Sequence, residues 1–116
     1  MQSAPHGPAD TPDGTPFYPG TCRHISPEDR AERIRQGTPY ALRLFVDRAI
    51  ELLEQQRNWP LYWNDRKKGK QQATPELFGD VVLARKDIPT SYHLSVTLDD
   101  HLQGVTLVTR GEDLFY

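Results

Sequence analysis

Apolar and polar residues alternate over Tyr40, Leu42, Leu44 and Val46, a two-residue period that predicts a strand across 39–46. The period then lengthens. Ala49, Ile50, Leu52 and Leu53 fall on one helical face, so residues 47–56 read as a short helix. Val81-Val82-Leu83-Ala84 within 79–86 predicts a second strand. Upstream, Ser26-Pro27-Glu28-Asp29 has the chemistry of a helix start: a hydroxyl to cap, a proline for the first helical position, and acids at the positive end of the dipole. That helix is expected to run through Arg35 and stop at Gly37, with Ala31 and Ile34 turned inward and Arg30, Glu32, Arg33 and Arg35 toward solvent. Residues 61–70 pass from aromatic (Tyr62, Trp63) to basic (Arg66, Lys67, Lys68, Lys70), with a turn expected at Gly69.

The last third carries the densest apolar pattern. Tyr92, Leu94, Val96 and Leu98 alternate as a strand would, yet Leu94, Leu98 and Leu102 also share a helical face that ends at Gly104. Pattern alone leaves both open. Val105-Thr106-Leu107-Val108-Thr109 is apolar and β-branched, which predicts a buried strand delivering Arg110-Gly111-Glu112-Asp113 at its carboxyl end. In an open α/β sheet ligands bind at such ends. By contrast, residues 1–20 hold Pro5, Pro8, Pro12, Pro16 and Pro19 and read as a loop or disordered lead that becomes ordered only near Phe17-Tyr18, because proline removes a donor and fixes φ.

Composition changes this picture in one respect. The chain has 116 residues, enough for one domain, but only 36% are hydrophobic and mean hydropathy is -0.70, so the core is expected to be thin. The formal net charge of -2 provides no global basic field for nucleic acid, although a local patch is allowed. One cysteine excludes an internal disulfide framework. No apolar run approaches the ~18 residues of a membrane span, and the first residues do not resemble a secretory signal. The expectation is a cytoplasmic protein with no membrane partner.

Four groups of residues have chemistry to offer. Cys22 and His24 lie two positions apart on a turn and can share a metal, but structural zinc takes four ligands, and a lone loop cysteine is ordinarily just a small packed residue. The basic run 65–70 suits phosphate contact or a solvated turn, the commoner case. Asp99-Asp100-His101 suggests acid–base or metal work, yet neighbouring helical carboxylates point apart. Arg110 is the strongest. A guanidinium at the end of an apolar strand suits bidentate recognition of a carboxylate or phosphate. An ion pair with Glu112 or Asp113 explains it equally well. Tyr92 reaches the same place if its segment lies beside the strand. Walker, GxSxG and HExxH motifs are absent.

Read as ordered blocks, Tyr18-Pro-Gly-Thr-Cys-Arg23, Gly79-Asp-Val-Val-Leu-Ala-Arg85, Ser91-Tyr-His-Leu94, Leu98-Asp-Asp100, Gln103-Gly-Val-Thr106 and Arg110-Gly-Glu-Asp-Leu114 strongly resemble the glutamyl-tRNA synthetase-like enzymes. Within that family the similarity is to the short glutamyl-Q branch, which lacks an anticodon-binding domain. It covers about residues 16–116. The resemblance implies an α/β fold: part of the Rossmann-type class I aminoacyl-tRNA synthetase catalytic domain, with a remnant of a zinc-bearing insertion. It divides the chain into a lead and partial zinc-insertion loop, 1–25, and a catalytic-domain part, 26–116. It also implies ATP-dependent activation of glutamate, then transfer to queuosine in the anticodon of tRNA(Asp), by an enzyme monomeric when complete. Tyr92 and Arg110 match the glutamate-pocket tyrosine and arginine, and the backbone of Glu112, Asp113 and Leu114 lies where the family approaches adenosine. Tyr18 and Cys22 match two zinc ligands, with His24 as the substitute some members use. Residues 92–103 become a helix.

Other parts of the family pattern have no counterpart in these 116 residues: the histidine phosphate motif and first strand, the cysteine pair of the zinc site, and the lysine loop. The expectation is therefore an internal fragment that alone neither activates glutamate nor binds zinc tightly. Two alternatives remain open, a fragment of a glutamyl-tRNA synthetase charging the tRNA 3′ end, and a non-catalytic remnant holding tRNA through the basic turn.

Overall fold

In the computed structural model, residues 11–115 are described. Pro5, Pro8 and the rest of the expected leading loop up to residue 10 lie outside the described residues. Along the chain run α1 (Pro27–Arg35), β1 (Ala41–Leu44), α2 (Val46–Gln55), β2 (Tyr62–Asp65), β3 (Gly69–Gln72), β4 (Val81–Arg85) and α3 (Tyr92–Gln103), with single 3-10 turns at Pro75–Leu77 and Glu112–Leu114. Two compact units share these elements. Of the described residues, one comprises 11–19 and Phe45–Asp80, the other Gly20–Leu44 and 81–115.

In the first unit, α2 starts without a cap of its own, since the Phe45 side chain accepts no hydrogen bond. The acceptor comes from far along the chain: Asp80 Oδ1 receives the Val46 amide at 3.2 Å. Both residues are buried, Val46 at 5% exposure and Asp80 at 7%. A carboxylate there also faces the positive end of the helix dipole. β2 and β3 form an antiparallel hairpin pairing Tyr62 with Gln72 and Asp65 with Gly69. Its turn is organised by Asp65, whose Oδ1 accepts the amides of Lys68 and Lys67 at 2.7 and 2.8 Å. Those two amides hold the Asp65 carboxyl below the ordinary aspartate range. Gly69, at φ +77, closes the turn as its sequence position predicts. Phe17 lies against Gly79 so closely that a Cβ there would sit 2.7 Å from the ring.

The second unit is built on β1 paired antiparallel with β4, Ala41 opposite Arg85 and Leu44 opposite Val81, with an irregularity between Leu42 and Arg43. α1 begins and ends as its sequence predicts. Ser26 Oγ accepts the Asp29 amide at 3.1 Å. At the other end Gly37 (φ +75) donates to Ile34 O and Thr38 to Arg33 O, the paired bonds of a glycine-terminated helix. Its inward face does not appear: α1 buries no residue, and Ile34 is 49% exposed. Similarly, Tyr40, Leu42 and Leu44 stay exposed, and Val46 opens α2 instead of ending a strand.

Residues 92–103 are helical, as the family resemblance implies. The predicted buried strand at 105–109 does not form. That segment takes no regular structure, and Val105, Leu107 and Val108 are 42–53% exposed. Strand propensity is realised only against a neighbouring strand, and none pairs with it among the described residues. Both ladders present are antiparallel and two-stranded. No helix among the described residues is long and apolar enough to cross a membrane.

Candidate functional site

The candidate site is carried by α3 and the segment that follows it. Ser91 fixes where the helix begins: its amide donates to Leu83 O of β4 at 2.6 Å, and its Oγ accepts the Leu94 amide at 3.2 Å. Thr90 and Ser95 hydroxyls lie 3.0 Å apart across this cap. Tyr92 is thereby held as the first helical residue, shortly after the carboxyl end of β4, with 56% of its surface exposed. Its ring meets His93 edge-on, at 5.6 Å between centroids.

Gly104 fixes the other end. At φ +70 it adopts the left-handed conformation that side chains disfavour. Its amide donates to His101 O, and the Val105 amide reaches back to Asp100 O at 2.9 Å. The chain leaves the helix there and returns six residues later. Arg110 Nη2 donates to Asp100 Oδ2 at 3.1 Å, while Nη1 donates to its neighbour's carbonyl, Thr109 O, at 3.0 Å. Asp100 thus ties residues 100–110 at both ends, through its carbonyl to Val105 and its carboxylate to Arg110. About 30% of each paired side chain is exposed. Enough of the guanidinium fork remains for a second carboxylate.

Tyr92 and Arg110 do not touch. Tyr92 occupies the first turn of α3 while Arg110 pairs near the last, so about 12 Å of helix separates Tyr92 from Asp100. A ligand engaging both would lie along the helix. Beyond Arg110, the turn at Glu112–Leu114 is closed by the Leu114 amide on Gly111 O and the Phe115 amide on Glu112 O.

The metal candidates are less organised. Cys22 and His24 are exposed on a turn closed by the Arg23 amide on Gly20 O at 2.9 Å; Tyr18 is half-buried. Among the described residues no group of three or more histidines, cysteines or carboxylates is placed to hold a metal ion. Even counted together, Tyr18, Cys22 and His24 fall short of the four donors of structural zinc, and the described residues by themselves therefore do not fit that ion.

Two residues escaped the sequence reading. Asp100 was visible only as part of an acidic pair, although a helix stop at Gly104 followed by an arginine six residues on was a usable hint of return. Asp80, the distant cap of α2, left no local signal.

At the carboxyl end of α3, then, an arginine is paired with an aspartate in the unit built on a small antiparallel ladder. Residues 9–115 match the family described as tRNA synthetases class I (E and Q), catalytic domain. The chain belongs to that family. At finer grain it is 42% identical over 113 residues to the glutamyl-Q tRNA(Asp) synthetase of Nocardia farcinica, covering 97% of this chain and 30% of that protein. It is 44% identical over 120 residues to the protein of that name from Rhodobacter capsulatus, covering 99% and 38%. The glutamate–tRNA ligase of Coprothermobacter proteolyticus is 37% identical over 98 residues, 83% of this chain and 19% of the ligase. The chain therefore spans well under half the length of these curated relatives. No solved structure matches it.

Proposed function

We propose that this chain is a segment of a glutamate-activating, ATP-dependent ligase of the glutamyl-Q type, which passes glutamate to queuosine in tRNA(Asp). The observation that carries the reading is Arg110, a permanently charged fork held by Asp100 and the Thr109 carbonyl with donors still available. In this reading Arg110 binds a carboxylate of glutamate and the Tyr92 hydroxyl donates a hydrogen bond to the same molecule. The backbone of Glu112, Asp113 and Leu114 approaches adenosine, with the Leu114 amide already engaged by Gly111. Attack of a glutamate carboxylate oxygen on the α-phosphate of ATP forms the adenylate and expels pyrophosphate; it needs the two held in line and the developing charge stabilised, more than it needs a base.

The same reading places 26–116 in a Rossmann-type catalytic domain and 1–25 in a partial zinc-insertion loop carrying Tyr18 and Cys22, with His24 as the substitute. No step of this reading is routed through zinc. The finished enzyme is read as a cytoplasmic monomer. A second reading, a glutamate–tRNA ligase charging the 3′ end, is favoured by the similarity over 83% of this chain to a protein of that name.

Glutamate-dependent ATP–pyrophosphate exchange tests the proposal. It is measured on this chain and on a polypeptide extended at both ends with the flanking segments of the Nocardia relative. Exchange by the extended protein alone is expected, and its loss in Arg110→Ala; transfer to queuosine-containing tRNA(Asp) then separates the two readings. Undiminished exchange in Arg110→Ala overturns the site assignment.

A further inference from the structure

The Asp100–Arg110 pair raises a question of sign. An internal carboxylate beside a carboxylate-binding arginine either competes with the ligand or holds the clamp for it. We propose that Asp100 is a positioning residue that presents Arg110 to glutamate, an inference resting on the reading of Arg110 above.

Three observations favour holding over competition. First, Asp100 makes one contact to a terminal nitrogen, Oδ2 to Nη2 at 3.1 Å, and no second bond to the fork is formed. A competitor mimicking a bound carboxylate would take the paired, two-bond geometry that guanidinium favours. Second, the other terminal nitrogen is engaged by the Thr109 carbonyl at 3.0 Å. The fork is thus restrained at both tips while part of each remains a donor. Third, the frame under Asp100 is stiff. Its own carbonyl accepts the Val105 amide, and Gly104 sets the departure angle of the chain through its left-handed φ of +70°. An arginine on an irregular, exposed segment would otherwise sample many rotamers, and ordering one such side chain on binding lowers affinity by about three- to tenfold. Asp100 supplies that ordering before the ligand arrives.

The pair is partly exposed, so its own contribution to folding is small, and removing it separates positioning from stability. The test uses the 116-residue chain, isotope-labelled, with glutamate itself as the probe. Arginine side-chain NMR of Arg110 is followed in the wild type and in Asp100→Asn, Asp100→Glu and Arg110→Ala, with the β1 and β4 amides as a control for folding. The wild type should show slowed rotation of the Arg110 guanidinium. Asp100→Asn should lose that signature, leave the β1 and β4 amides in place, and raise the glutamate Kd about three- to tenfold; Asp100→Glu should restore both in part.

A lowered or unchanged Kd in Asp100→Asn, while Arg110→Ala abolishes binding, overturns the positioning role and leaves the glutamate clamp standing. Glutamate binding that survives Arg110→Ala, or none in the wild type, overturns the clamp and the positioning role together.

Discussion

Replacing Asp80 by alanine removes the acceptor of the Val46 amide, and its cost follows from three features of that contact. The amide is the first helical N–H of α2, and the local candidate, Phe45, offers no side-chain acceptor. The acceptor is a carboxylate at the positive end of a ten-residue helix. Both ends are buried, at 5% and 7% exposure, so bulk water does not readily replace the lost partner. Loss of a side-chain helix cap costs about 0.5–2 kcal/mol, and loss of a hydrogen bond to a charged group about 1.5–3 kcal/mol. These describe one interaction and do not add. Asp80→Ala should therefore lower stability by about 2 kcal/mol, and Asp80→Asn, which keeps an acceptor oxygen, by about half of that. Urea unfolding of the three proteins measures the differences, and amide exchange at Val46 reports whether the helix start is the place affected. A change below about 0.5 kcal/mol in Asp80→Ala, or unaltered exchange at Val46, would refute the assignment of this distant carboxylate as the cap.

Two further predictions concern the same unit. Gly79→Ala places a Cβ at φ +66, 2.7 Å from the Phe17 ring. It should lose about 1 kcal/mol to backbone strain and about 1–3 kcal/mol to overpacking; in thermal melts Phe17→Leu should relieve only the second part, and equal melting temperatures for Gly79→Ala and wild type would contradict the close approach. The turn contribution of Asp65, whose pKa is depressed by the Lys68 and Lys67 amides, is present above the ordinary aspartate value and lost as pH falls through the lowered one. In an NMR titration the Lys67 and Lys68 amide shifts should move with a midpoint below about 3.9, and a midpoint at or above it would remove the proposed turn bond.

What was legible in the sequence is what local chemistry determines. Ser26 with Pro27, and the glycines at 37, 69 and 104, mark helix ends and a turn because their effects act within a few residues. The paired ladder of β1 and β4 was foreseeable as two strands, whereas the exposure of Leu42 and Leu44 was not, since their two-residue apolar period marks that face as the one to bury. The helix at 92–103 needed the family resemblance, its apolar positions being compatible with both periods. Val105–Thr109 misled for a related reason: propensity describes what a segment can join, and joining needs a partner. Arg110 stands out in the sequence because a charged fork after an apolar run is unusual. Asp100 was not, since its role depends on a chain reversal ten residues long.

That unjoined segment has a practical consequence for handling the protein. Val105-Thr106-Leu107-Val108-Thr109 is uncharged, β-branched and free of proline and glycine, and its apolar side chains are about half exposed. Those are the ingredients of self-assembly into intermolecular sheet. The soluble fraction of this chain should therefore fall steeply as its concentration rises, and Leu107→Lys, which puts a charge into the run, should delay precipitation without altering the melt of β1 and β4.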